Sequence, residues 1–278
     1  MDELFDVHTH FMPPRLLRRV WAYFDEQGPL IGRPWPILYR GSDAERVELL
    51  RSFGVRHFTA LAYAHRPGMA VALNEWTLDF AARTPGCLPS ATFFPEPDVL
   101  AHVDAAIAAG ARVFKVHLQV GGFDPREPML APVWDRLAAA AVPVVVHAGS
   151  GPVANGFTGP GPFGEVLRRH PGLLAIVAHL GAPEFEGFLD LAGEHPGVHL
   201  DTTMVFTEFF GGPPASLLPR IRALGLAGRI LLGSDFPNIP YPYTHQIDSL
   251  RRLDFGEAWL RAVCWENAAR LFGVEKMS

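Results

Sequence analysis

The first residues able to do chemistry together are His8 and His10, which follow the short, largely apolar run Leu4-Phe5-Asp6-Val7. Histidines at i and i+2 on an extended segment point to one face, roughly 6–7 Å apart along the backbone. From that spacing each ring can place a nitrogen about 2 Å from one metal ion. Taken alone, the pair also fits the plainer reading of one packed and one solvated histidine near a terminus. Three later segments bear on the choice. Val144-Val145-Val146-His147 and Ala175-Ile176-Val177-Ala178-His179 are apolar runs that end in histidine, and Ile230-Leu231-Leu232-Gly233-Ser234-Asp235 ends in a carboxylate. One histidine behind an apolar run is usually a satisfied core residue. Four runs that each deliver His or Asp at the C-terminal end point to a common site. Such N and O donors suit Zn(II), with Mn(II) and Fe(II) as competitors.

Val113-Phe114-Lys115-Val116-His117 adds a further polar pair, with Lys115 and His117 on one strand face and Phe114, Val116 and Leu118 on the other. A mid-strand lysine reads in three ways: a partner for a substrate carboxylate or carbonyl, a carbamylated bridge between two metals, or the mate of an inward acid such as Asp6 or Glu96. Arg40 and Arg66 stand near Tyr39 and Tyr63 in loop segments, a pairing that suits a planar or carboxylate-bearing molecule. Ordinary loop packing is the competing reading. The run Phe206–Phe210, followed by Gly211-Gly212-Pro213-Pro214, reads as a lid or a subunit contact.

The elements that must position these residues alternate along the chain. Strands are predicted at 4–8, 55–62, 88–94, 111–118, 142–147, 173–179, 197–201 and 229–233. Helices are predicted at 44–53, 69–83, 98–109, 132–141, 163–169, 184–193, 214–224, 243–253 and 257–272. Such alternation argues for parallel strands with helical crossovers, and eight of them fit an α/β fold of the closed (β/α)8 TIM-barrel kind. An open doubly wound sheet is the runner-up, but no glycine-rich phosphate turn follows any strand. The longer irregular stretches 28–41, 149–162 and 236–243 all follow strand C-termini, where a barrel builds its rim. No linker, low-complexity tract or repeat interrupts the pattern, so residues 1–278 are expected to form one domain.

Composition narrows the function classes. Apolar residues make up 49% of the 278 residues and charged residues 19%, as in a globular protein with a large core. A formal net charge of −5 without a basic run gives no attraction to nucleic acid or an anionic membrane. No apolar stretch approaches about 18 residues, and Asp2 and Glu3 are wrong for a secretory signal. Cys87 and Cys264 are far apart and no CxxC occurs, so a disulfide framework is not expected and the cytoplasm is the expected compartment.

Taken in order, D-V-H-T-H-F-M-P, V-V-V-H-A-G, A-H-L-G, G-S-D-F-P and the closing E-N-A-A-R-L-F resemble the metal-dependent amidohydrolase superfamily, in its amidohydrolase family 2 branch. The H-x-H-x-x-P element is similar to that of aminocarboxymuconate-semialdehyde decarboxylase, a non-hydrolytic member. F-K-V-H-L and F-D-P-R-E-P look more like the hydrolytic members. The resemblance implies a metallo-dependent barrel in which His8, His10, His147 and Asp235 bind metal. His179 would be a further ligand in binuclear members, or would touch the attacking water in mononuclear ones. Asp235 would take that water's proton. No glutamate stands in the place of Lys115, which favours one divalent ion, Zn2+ first, over two. The implied activity is hydrolysis of a lactone, ester or amide carbonyl in a small carboxylate-bearing or aromatic substrate. A decarboxylase of a small unsaturated or aromatic acid is the alternative, and a non-catalytic barrel the second. Family members are often dimers or tetramers, which leaves a homo-oligomer open.

Overall fold

Short parallel strands rich in Val, Ile and Leu bury both faces when helices cover them outside and side chains fill them inside. The computed structural model describes residues 3–26, 34–209 and 211–274, and it shows that arrangement, a parallel TIM barrel. The strands are β1 (Leu4–Asp6), β2 (Val55–Thr59), β3 (Cys87–Leu88), β4 (Ser90–Thr92), β5 (Val113–His117), β6 (Val144–His147), β7 (Ala175–Val177), β8 (Val198–Asp201) and β9 (Ile230–Leu231). β3 and β4 are one barrel strand interrupted at Pro89, which has no N–H for a ladder bond. The ladders run β1-β2-β3 and β4 through β9, parallel throughout. Closure comes from the backbone where β9 meets β1: Val7 N donates to Leu232 O (2.9 Å), Asp235 N to His8 O (2.8 Å) and His10 N to Phe236 O (2.7 Å).

Phe5, Val7, Leu88, Val113, Val145, Ile176 and Leu231 form the interior cluster. Alternation along β5 therefore carries Lys115 and His117 inward above Val113, while Phe114 and Val116 join the outer core. β1 breaks that rule. Phe5 and Val7 are both interior, yet His8 also reaches the interior Lys115. A bend at Val7 ends the regular strand and resets the phase, which turns the histidines into the mouth. Asp6 points the other way, to the Tyr243 hydroxyl (2.9 Å).

All eight expected barrel strands are present, within a few residues at their ends. Two details differ from the sequence reading. Helix Pro14–Glu26 was not anticipated; its buried Leu17 and Trp21 are sparse apolar marks among three exposed arginines. The predicted last helix, 257–272, is Glu257–Arg261, a π turn over Ala262–Glu266, and Asn267–Phe272. The wide turn lets Val263 O accept from Leu232 N of the last strand (2.9 Å). Of the irregular stretch 28–41 the first residues, and of the Phe206–Phe210 run Phe210, lie outside the described residues.

The closing motif owes its asparagine to this junction. Buried Asn267 donates from Nδ2 to Gly225 O and Ile230 O, both at 2.8 Å, tying the final helix to β9. Asn267→Ala leaves two carbonyls without that donor. We expect it to lower unfolding free energy by about 1–3 kcal/mol in urea titrations; an unchanged midpoint would exclude the tie.

Candidate active site

Several strand ends contribute polar groups to the mouth, and local backbone decides where they point. His8 and His10 follow the bend at Val7. His179 (φ 56°) and Asp235 (φ 70°) are non-glycine residues in the left-handed region, a conformation that costs of order 1–3 kcal/mol and persists only when neighbours hold it. His179 is held by its N–H, which donates to Asp201 Oδ1 (3.0 Å). Asp235 is held by its N–H on His8 O and by its own carbonyl, which accepts from Asn238 N (2.8 Å). Gly181 of the A-H-L-G motif continues the left-handed run at φ 75°, and a Cβ there would run into the Phe188 ring.

Three donors converge. His8, His10 and Asp235 offer ligand atoms all within 4.8 Å of one another. His10 Nδ1 lies 2.7 Å from Leu61 O, a carbonyl that only accepts, so Nδ1 carries the hydrogen. Its Nε2 then stands 2.7 Å from Asp235 Oδ1, acceptor against acceptor unless a proton or a cation is shared between them. His8 Nδ1 donates to the fully buried Asp201 Oδ2 (2.8 Å), and its Nε2 lies 3.0 Å from Lys115 Nζ and 3.4 Å from Asp235 Oδ1. A neutral imidazole whose outer nitrogen is tied to a carboxylate or carbonyl is the usual second sphere of a metal-binding histidine. By its donor chemistry the cluster fits a divalent ion.

Electrostatics agree. Burial, then Lys115, pushes His8 down to about 4, so it is neutral at pH 7. Burial would raise Asp235, but His10 beside it holds the carboxyl well below the usual range. Asp201 is likewise held ionised against its burial by His8. Burial lowers Lys115 to about 8, with Asp201 and Asp235 opposing. His117 and His147 are pushed well below the ordinary histidine range, first by burial and then by neighbouring positive charge.

His147 stands apart from the three-donor cluster. Its Nε2 donates to Gly151 O (2.9 Å), and its ring stacks on His117 at 3.9 Å and 11°. The rings around the mouth form a closed circuit: His8 to His10 (5.2 Å), to Tyr63 (5.9 Å), to His117 (5.2 Å), to His147, to His179 (4.9 Å) and back to His8 (5.4 Å). Lys115 sits inside it beside His8. Asp6 and Glu96 are not its partners: Asp6 bonds His8 N and Tyr243, and Glu96 bonds Gly68 N. Arg40 is committed to Asp25 and lies over the Trp21 ring, 5.7 Å from its centroid. Arg66 is exposed. No described bond takes either arginine to the cluster. Asp201 and Thr203 were missed by the sequence reading, although V-H-L-D is itself a buried strand ending in a carboxylate, the same signal that marked Asp235.

The amidohydrolase family model Amidohydro_2 matches residues 5–274. The chain belongs to the amidohydrolase family. No curated protein matches this amidohydrolase in a sequence comparison. Among solved structures it is similar to the TIM-barrel protein Bb4693 from Bordetella bronchiseptica, at 18% identity and TM-score 0.77 over 98% of this chain and 99% of that one. It is also similar to a protein described as a 2-pyrone-4,6-dicarboxylic acid hydrolase from Pseudomonas putida (18%, TM-score 0.66, 100% of both chains). A third is the 5-carboxyvanillate decarboxylase LigW from Sphingomonas paucimobilis (15%, TM-score 0.65, 99% of this chain and 100% of that one). The amidohydrolase fold thus carries both hydrolases and decarboxylases among its neighbours.

Gly233 lies where the site packs most tightly. A Cβ there would meet Thr203 Oγ1, His8 Cβ (2.8 Å) and Asp201 Cγ (3.1 Å). Gly233→Ala must therefore push His8 away from Asp201. Overpacking of this kind costs about 1–3 kcal/mol. We expect a matching drop in thermal stability together with weaker Zn2+ binding by calorimetry; wild-type values for both would contradict the packing.

Proposed function

We propose that this amidohydrolase is a metal-dependent hydrolase that directs water onto the carbonyl of a lactone, ester or amide. The observation that carries the reading is the placement of a base and a cation about one point: His8 Nε2 has Asp235 Oδ1 on one side at 3.4 Å and Lys115 Nζ on the other at 3.0 Å. His8, His10 and Asp235 would hold one divalent ion, zinc in our reading, with His147 joining once its bond to Gly151 O is released. The ion would supply Lewis acidity, which lowers the pKa of water from 15.7 toward about 7.

The chain's own groups supply the rest. Asp235, ionised and only 16% exposed, accepts the proton of the attacking water. Lys115 faces the carbonyl oxygen as its charge develops, and a preorganised donor of that kind is typically worth about 3 kcal/mol in the transition state. His179 has Nδ1 on Thr203 O (3.1 Å) and exchanges a hydrogen bond with the water or the leaving group through Nε2. The circuit of rings walls the mouth with flat, mostly neutral surface, which supports a small planar or aromatic substrate. Lys115 is the cation available to a single carboxylate on it. A hydrolase and a decarboxylase are both among the structural neighbours, so the product decides between reactions.

Metal analysis of the purified protein should give close to one divalent ion per chain, and chelation should abolish turnover of a lactone panel. Asp235→Asn should lower kcat by at least about 100-fold, within the range general acid–base groups contribute. His10→Ala should weaken the metal more than His147→Ala. Carbon dioxide released from aromatic or dienoic acids, with no lactone turnover, would assign the lyase instead. Full activity in Asp235→Asn would remove that residue from the mechanism.

A further inference from the structure

The end of β8 lies outside the proposed ligand set, yet it touches two of the site's histidines. Asp201 is fully buried. Its Oδ2 lies 2.8 Å from His8 Nδ1, and its Oδ1 accepts from His179 N and Thr203 N, both at 3.0 Å. Two residues on, Thr203 O lies 3.1 Å from His179 Nδ1, and Thr203 Oγ1 lies 3.2 Å from His8 Nδ1.

We propose that Asp201 and Thr203 form a positioning element that selects the tautomers of His8 and His179, making Nε2 the acceptor nitrogen of both rings. A carboxylate and a carbonyl only accept, so in each case the ring nitrogen facing them carries the hydrogen. In the neutral form of either ring, Nε2 then carries no hydrogen. For His8 a second observation agrees independently. As an ammonium, Lys115 Nζ, 3.0 Å from Nε2, has only hydrogens to offer, so Nε2 accepts. The same carboxylate group that orients the His8 ring also anchors the left-handed backbone of His179, so the two rings are set together from a third strand. The consequence for metal binding rests on the reading of His8 as a ligand; the tautomer assignment does not.

Asp201→Asn separates the possibilities. The amide keeps an oxygen for His179 N and Thr203 N but turns an N–H toward His8 Nδ1. His8 must then carry its hydrogen on Nε2, which removes the lone pair a metal needs. Two-bond 1H–15N spectra of the metal-free protein at pH 7, assigned by the loss of signals in His8→Gln, read the tautomer directly. Wild type should show His8 and His179 protonated at Nδ1, and Asp201→Asn should show His8 protonated at Nε2. Zn2+ affinity, measured against a chromophoric chelator, should fall by about 10- to 100-fold in the variant. A wild-type spectrum with the hydrogen of His8 on Nε2 overturns the proposal even if the variant does not fold. So does a variant that keeps Nδ1–H, or that binds Zn2+ within twofold of wild type while the wild type binds it tightly. Wild type with the expected tautomers but no Zn2+ binding would instead sink the metal reading and leave the tautomer assignment standing.

Discussion

Where the last barrel strand meets the first, Val7 N donates to Leu232 O, Asp235 N to His8 O and His10 N to Phe236 O. Every other neighbour relation in the barrel joins elements close in sequence, but this seam joins the two ends of the barrel. It also fixes the site, because three of the residues in these backbone bonds, His8, His10 and Asp235, are those whose side chains converge. Asp235 is held beside His8 and His10 by main-chain geometry before any side-chain interaction is counted. Its left-handed backbone, unfavourable alone, is offset by bonds made on both sides of its peptide units.

Behind the seam, the energetics are those of a buried polar network that must be fully partnered. Two carboxylates, an ammonium and several neutral imidazoles are taken out of water at the mouth, and burial works against the charged form of each. Asp201 stays ionised because three N–H groups converge on it. Asp235 has fewer such partners and stands partly open to solvent, which leaves it the more reactive of the two acids. The inward face of β5 supplies the one ammonium among these groups, on a strand whose other face is wholly apolar.

Much of this was legible in the residues themselves. Apolar runs ending in His or Asp announced strand ends, and their alternation with helical patterns announced the barrel. His8, His10, His147, His179 and Asp235 stood out together because they lie at the ends of such runs; that His8, His10 and Asp235 draw closest was not legible. Other features had no local signal. The bend at Val7, which puts His8 on the same side as Phe5 and Val7, contradicts strand alternation and depends on the partner strands. Which acids surround Lys115 had no local signal either, since nothing in one strand's sequence shows which acids from other strands share its level; Asp6 and Glu96, the mates offered by one of its three readings, lie elsewhere. Asp201 carried the same strand-end signal as Asp235, at the close of V-H-L-D. Helix Pro14–Glu26 was hidden by its arginines, since only Leu17 and Trp21 are buried.

The seam also dictates an order of assembly. His10 and Asp235 are 225 positions apart, and Leu232 N waits further still, for Val263 O in the π turn. At ordinary rates of synthesis the first strand leaves the ribosome roughly 10–45 s before its partner exists. Through that interval β1 is an unpaired edge, the kind of surface that recruits the wrong strand. β1 is only three residues long and β9 only two. Short strands at the seam give a nascent neighbour little to grip, so the brevity that makes these strands easy to overlook also guards the unfinished barrel.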